Sequence, residues 1–349
     1  MKKQKNHKFL KGTLGLTAAA GVVYFGVGGL IYSQMLSRRA AVRGLNRLPA
    51  GDIVAGKIGA SGEAVLKPDF FEKLFGGDAG IEAAFALPGF HFYQEGIQWY
   101  MEKNPEKVVT ESPLGGNIHA DVIKQENPSN VWVISIHGYT ACARIMGYTA
   151  KEFYGWGYNL LFPHLRAHGD SESSDISMGW LDRLDIIAWI NYLNREYDNP
   201  QIILHGESMG GATVMMTTGE NLPDNVVCAI EDCGYTSAWD MFALQAKEMF
   251  HLPVFMATSL DVLMRLRQGF SLKEATCVEQ VKKSKTPTLF IHGEADPGVP
   301  FHMLNTVYEA AACEKEKFTV AEAGHGESKY LEPELYFSTV KNFIDRYLK

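Results

Sequence analysis

From residue 131 onward, short apolar runs alternate with longer amphipathic stretches, the rhythm of β-α-β units that build a parallel sheet. Val131–Ile136, Tyr158–Phe162, Gln201–His205, Val226–Ile230, Thr288–Ile291 and Lys317–Val320 are the strands this pattern predicts. Met178–Tyr197 and Pro333–Tyr347 carry the 3.6-residue period of helices. Upstream, Lys107–Thr110 and Ala120–Ile123 flank Pro113–Gly116 and predict a hairpin-like opening to the sheet. Most of the later strands run straight into polar, proline or glycine residues at their carboxyl ends, where open α/β sheets place their sites.

The rhythm breaks between Asp232 and Thr286, where no strand is predicted and helical segments are rich in Met and Phe, among them Met241, Phe242, Phe255 and Met264. An insertion that leaves and rejoins a sheet predicts a cap, here about residues 236–284, with a methionine-rich surface that adapts to varied apolar ligands. Ser271-Leu272-Lys273-Glu274 reads as a capping box opening its last helix. Residues 41–104 read as a linker and arm, with short helices over Phe70–Phe75, Glu82–Leu87 and Glu95–Lys103.

The first 40 residues differ from the rest. Five lysines precede an uncharged stretch, residues 12–37, long enough at ~1.5 Å per residue to span a bilayer core of about 30 Å. Ala18-Ala19-Ala20 falls too early for a cleavage site, so an uncleaved signal-anchor helix is expected. Arg38, Arg39, Arg43 and Arg47 nearly balance the lysines. Translocating the lysine tail is the harder option, which leaves the N-terminus in the cytoplasm and the large domain outside. Elsewhere no basic stripe occurs and the net charge is −7, which argues against nucleic acid as a partner. The five cysteines show neither C-x-x-C nor zinc spacing, and their odd number speaks against a disulfide framework.

The candidate chemistry centres on Gly206-Glu207-Ser208-Met209-Gly210-Gly211, directly after the Gln201–His205 run. Strand, Gly-x-Ser-x-Gly and small apolar helix form a nucleophile elbow, with Ser208 on a strained turn. Alone, the motif also fits a glycine-rich turn with an incidental serine. A serine nucleophile needs a base and an orienting acid, and in this architecture the order is Ser, acid, His. Seven of the eleven histidines precede Ser208. His325, in a glycine-flanked loop past the last strand, is the candidate base. Asp296, after the Thr288–Ile291 strand, is the candidate acid, and Asp232, after the Val226–Ile230 strand, competes with it. The amides of Met209 and Tyr139, the latter in His137-Gly138-Tyr139-Thr140, are the candidate oxyanion donors.

Residues from about 105 to 349 resemble α/β-hydrolases of the serine aminopeptidase and monoacylglycerol-lipase-like branch, close to bacterial membrane-anchored hydrolases. The resemblance rests on His137–Thr140, Arg166-Ala167-His168-Gly169-Asp170-Ser171, Gly206–Gly211, Ile291–Pro300 and Gly324-His325, in that order. It implies an α/β-hydrolase fold, a mostly parallel central sheet flanked by helices, with the cap as an insertion and the N-terminal transmembrane helix outside it. The expected organisation is 1–40 tail and anchor, 41–104 arm, 105–349 hydrolase. The expected function is cleavage of a small-molecule or lipid ester through Ser208, His325 and Asp296, with no cofactor and no metal. Amide or thioester cleavage, acyl transfer and a non-catalytic membrane-tethered binding module are the alternatives. Glu207 departs from the pattern, since many members carry histidine there, and it places a charge beside the nucleophile.

Overall fold

The sheet opens with the antiparallel hairpin of β1 (Glu106–Glu111) and β2 (Asn117–Ile123). It continues through β3 (Val131–Ile136), β4 (Asn159–Pro163), β5 (Gln201–Glu207), β6 (Val226–Asp232), β7 (Thr288–Gly293) and β8 (Lys315–Val320). In the computed structural model, which describes residues 26, 28–33, 35–38, 89–248 and 253–349, these eight strands form one sheet in the order β1-β2-β4-β3-β5-β6-β7-β8. β2 runs antiparallel to β4, and every pairing beyond is parallel. β3 to β7 are covered on both faces, which is why they read as continuous apolar runs rather than alternating ones. Side chains still divide by parity: Trp132, Ile134, Ile202 and Leu204 enter one core, Val133 and Ile203 the other.

Three predicted helix starts are corrected. The helix expected from Met178 spans Asp182–Glu196, because Met178 and Gly179 hold positive φ (53° and 83°) that no right-handed helix accommodates. The Ser271–Glu274 box makes its back-bond, Ser271 N to Glu274 Oε2 at 3.0 Å, but it closes a turn. The Ser271 hydroxyl is drawn to Asp261 Oδ1 at 2.8 Å, and the helix begins at Cys277, capped by the Thr276 hydroxyl, which accepts the Glu279 amide at 3.5 Å. The described part of the cap includes the helices Ala238–Glu248 and Ala257–Gln268, and Met241 and Phe242 of the first line the cavity that holds Ser208. The helix expected at Glu95–Lys103 begins earlier, at Phe90, and those at 70–75 and 82–87 lie outside the described residues.

Most of the apolar stretch 12–37 also lies outside the described residues, and no helix among those described is long and apolar enough to cross a membrane. Its carboxyl end packs on the protein. Residues 28–33 are helical, and Ile31, Tyr32, Met35 and Leu36 are buried in the main core. Backbone bonds Arg38 N to Ser174 O and Ile176 N to Leu36 O, both 2.7 Å, fasten the segment beside Asp175. The boundary expected at residue 40 therefore falls after an element that already belongs to the folded domain.

Candidate active site

β5 ends at Glu207, the next helix begins at Met209, and Ser208 turns between them at φ 59°. Glycine is required on both sides. A Cβ on Gly206 would stand 2.3 Å from the Gly210 carbonyl oxygen, and one on Gly210 would stand 2.0 Å from that of Ile136. The Ser208 amide donates to the Asp232 carbonyl at 2.8 Å, which pins the strained turn to β6.

From this turn Ser208 Oγ lies 2.8 Å from His325 Nε2, and His325 Nδ1 lies 2.7 Å from Asp296 Oδ2. His325 comes from the loop after β8 and Asp296 from the loop after β7, so three crossovers of the sheet converge on one line of hydrogen bonds. Asp296 is buried, and its second oxygen accepts the amides of Gly298 and Val299 at 2.7 and 2.8 Å. His292 Nε2 approaches Oδ2 at 3.3 Å and lies 2.8 Å from the Val299 carbonyl. Burial alone would favour the neutral acid. The bonds from His292, His325 and Val299 outweigh it and hold the carboxyl well below the usual carboxylate range, so Asp296 stays an anion.

The His137–Thr140 loop lies over the serine: a Cβ on Gly138 would stand 3.3 Å from Ser208 Cβ, and Tyr139 and Met209 line the same cavity as Ser208. Two histidines brace the loop. His168 Nε2 accepts the Thr140 amide at 3.2 Å while its Nδ1 lies 2.9 Å from the Arg166 carbonyl. His137 packs against it with rings 4.9 Å apart. Burial, aided by repulsion between the two rings, pushes His137 well below its ordinary value, and burial likewise lowers His168. Each therefore remains a neutral acceptor.

Asp232, the competing acid, is not joined to His325. Its carboxylate accepts the Tyr336 hydroxyl at 2.9 Å and faces Lys329 Nζ at 3.9 Å. The turn after β6 is fixed by the neighbouring Glu231, whose Oε2 accepts the Gly234 amide at 3.0 Å. Lys329 is the residue sequence reasoning missed. Its side chain is 2% exposed, and its ammonium reaches Glu207 Oε2 at 2.7 Å and the Gly326 carbonyl at 2.6 Å. Burial disfavours the cation, but Glu207 and Asp232 outweigh it and keep Lys329 charged. The unusual Glu207 is thus neutralised from the histidine loop, tying the residue before the nucleophile to the one after the base. Its only sequence signal was an unexplained acid at the elbow.

Cys233, Asp296 and His325 offer ligand atoms within 4.8 Å of one another. Both imidazole nitrogens are already engaged, and burial raises the Cys233 thiol far from the thiolate a metal would need. In front of Ser208 and His325 opens a cavity of about 240 Å³, lined by Met178, Met241, Phe242 and Val299 among others. The groups present can activate a hydroxyl next to an apolar pocket.

The profile of the prolyl oligopeptidase family matches residues 175–349. Protein YqkD of Bacillus subtilis is 26% identical over 195 residues, 55% of this chain and 64% of its own length. The α/β hydrolase domain-containing protein WAV2 of Arabidopsis thaliana is 27% identical over 195 residues, 54% and 61% of the two lengths. The matched stretch thus spans less than two thirds of either relative. Among solved structures, an esterase of Pyrococcus furiosus superposes with a TM-score of 0.59 at 22% identity, over 72% of this chain and 94% of its own. The acylaminoacyl peptidase of Pyrococcus horikoshii gives 0.54 at 19% identity, over 70% and 42%. Both share the α/β-hydrolase fold.

Proposed function

Since this chain belongs to the prolyl oligopeptidase family of α/β serine hydrolases, we propose that it cleaves an ester of an apolar acid through Ser208, His325 and Asp296. His325 Nε2 takes the Ser208 proton as Oγ attacks the carbonyl carbon. The amides of Tyr139 and Met209 hold the oxyanion, a contribution of roughly 3–4 kcal/mol per donor in comparable sites. His325 then passes the proton to the leaving alcohol oxygen, and an acyl-enzyme remains. Water, deprotonated by the same imidazole, resolves it. Asp296 keeps the Nδ1–H tautomer and stabilises the imidazolium without taking the proton.

The observation that carries this reading is the unbroken line from Ser208 Oγ to His325 to Asp296 at 2.8 and 2.7 Å, beside an apolar cavity. A fluorophosphonate should label Ser208, and Ser208→Ala should abolish labelling while leaving the melting curve unchanged. A folded wild type that resists the probe would instead favour a binding module. The family match gives a second reading, cleavage of an amide, because relatives of this fold include an acylaminoacyl peptidase. Turnover of aminoacyl arylamides exceeding that of simple esters would select it.

The apolar stretch beginning at residue 12 is proposed to hold the enzyme at a membrane, with the hydrolase domain on the outer side. Release of the full-length protein by carbonate washing would remove that part of the proposal.

A further inference from the structure

The cavity before Ser208 is walled mostly by the cap and by the ends of the sheet, but one wall comes from far outside the hydrolase motifs. Met35, in the segment that precedes the arm, is 7% exposed and lines the cavity together with Ser208, His325, Met178 and Phe242. It is not a loosely draped residue. Its carbonyl accepts the Tyr139 hydroxyl at 2.7 Å, so it is bonded to the loop that covers the nucleophile. On one side of it, Gln268 of the cap donates to the Tyr32 hydroxyl at 2.9 Å. On the other, Leu36 is wholly buried and its carbonyl accepts the Ile176 amide. The Arg38 guanidinium then bonds the carbonyls of Gly169 and Ser171. Held at both ends, the Met35 side chain has a defined place in the cavity.

We propose that Met35 is a specificity-determining residue: it closes the acyl end of the cavity and sets the length of acyl chain the enzyme accepts. This rests on the assignment of Ser208 as nucleophile. A volume of about 240 Å³ suits an unbranched acyl group of medium length. The remaining lining is thioether and hydrocarbon, with Gln245 the chief polar side chain besides Tyr139, Tyr235, Ser208 and His325. Such a lining rewards each buried methylene by about fourfold in binding until the chain meets a wall. Met35 is that wall, and it belongs to the segment that leads directly out of the apolar N-terminal stretch. The chain that is proposed to meet the membrane therefore also shapes the pocket.

The test uses full-length protein and alkyl fluorophosphonates of graded chain length, from ethyl to dodecyl, with the rate of labelling at Ser208 as readout. In the wild type the rate should climb to about octyl and then fall. Met35→Ala, which opens the wall by three heavy atoms, should move the maximum out by two or more carbons and raise the dodecyl-to-ethyl ratio by about tenfold. Met35→Phe should move the maximum inward and lower that ratio by a similar factor. Melting curves check folding, and because the two substitutions push in opposite directions, either one that folds decides the matter. A chain-length profile that keeps its wild-type maximum in a folded variant overturns the role of Met35. Absence of labelling in the wild type at every length overturns the nucleophile assignment first, and the inference with it.

Discussion

The carboxyl ends of β6 and β7 lie side by side, and each presents a buried aspartate, Asp232 as the last residue of β6 and Asp296 in the loop after β7; only Asp296 meets the imidazole. Asp296 receives two backbone amides on one oxygen and faces two histidines with the other. Asp232 receives a tyrosine hydroxyl and stands near a buried ammonium, and its Oδ1 meets no hydrogen-bond donor among the described residues. The consequence is opposite electrostatics. Hydrogen bonds outweigh burial at Asp296 and lower its carboxyl, whereas burial prevails at Asp232 and raises it. What separates the aspartate that meets the imidazole from the one that does not is the supply of donors, not the degree of burial.

The sharpest break of this comparison is a matched pair of substitutions. Asp296→Asn should fold and lose turnover by as much as about 10⁴-fold, because the imidazole loses the partner that fixes its tautomer. Asp232→Asn should retain appreciable turnover but lose roughly 1–3 kcal/mol of stability, since it removes a charge from the buried ammonium. Turnover and urea denaturation of both proteins decide it, and the reverse pattern would return the acid to Asp232.

Next in size is Lys329→Met. It leaves Glu207 and Asp232 without their cation, and breaking a buried pair from one side costs about 3–5 kcal/mol. Chemical denaturation measures the loss. A change below ~1 kcal/mol would mean that the Glu207–Lys329 pair behaves as a solvated surface pair.

The smallest effect is a pH slope. Burial pushes the Glu231 carboxyl up to about 8, so the folded protein holds a proton that the unfolded chain sheds above about pH 4.3. Between those values the folded state binds more protons, and stability falls as pH rises. Glu231→Gln keeps an acceptor for the Gly234 amide but cannot ionise. Its stability relative to wild type should increase by on the order of 1 kcal/mol between pH 6 and 7. Parallel pH dependence in the two proteins would show that Glu231 does not carry the slope.

Much of this architecture was legible in the chain because it depends on local periodicity. Buried parallel strands impose unbroken apolar runs, and β3, β5, β6 and β7 each include the run that predicted them. The elbow was legible for a similar reason. Backbone atoms crowd within 2.3 Å of where Cβ atoms would lie on Gly206 and Gly210, so the glycines are compulsory and the motif appears in any sequence that makes the turn. His325 and Asp296 could be named as candidates from chain order alone. Helix starts were less legible. At Met178 and at Ser271, a positive φ and a rival partner, Asp261, overrode signals that were locally sound.

Interactions with no sequence period lay beyond the reach of the chain. Lys329 and Glu207 are 122 residues apart, and Met35 and Tyr139 are 104 apart. Nothing local requires either pair. A buried ion pair needs only that two charges meet where water is excluded, and a pocket wall needs only a side chain of the right bulk at the right place. The sequence by itself determined the sheet, the elbow and the short roster of residues from which a triad could come. The tertiary structure alone decided which aspartate the imidazole meets, what neutralises Glu207, and that the end of an apolar N-terminal stretch closes the pocket, because each depends on distances across the sheet that folding sets.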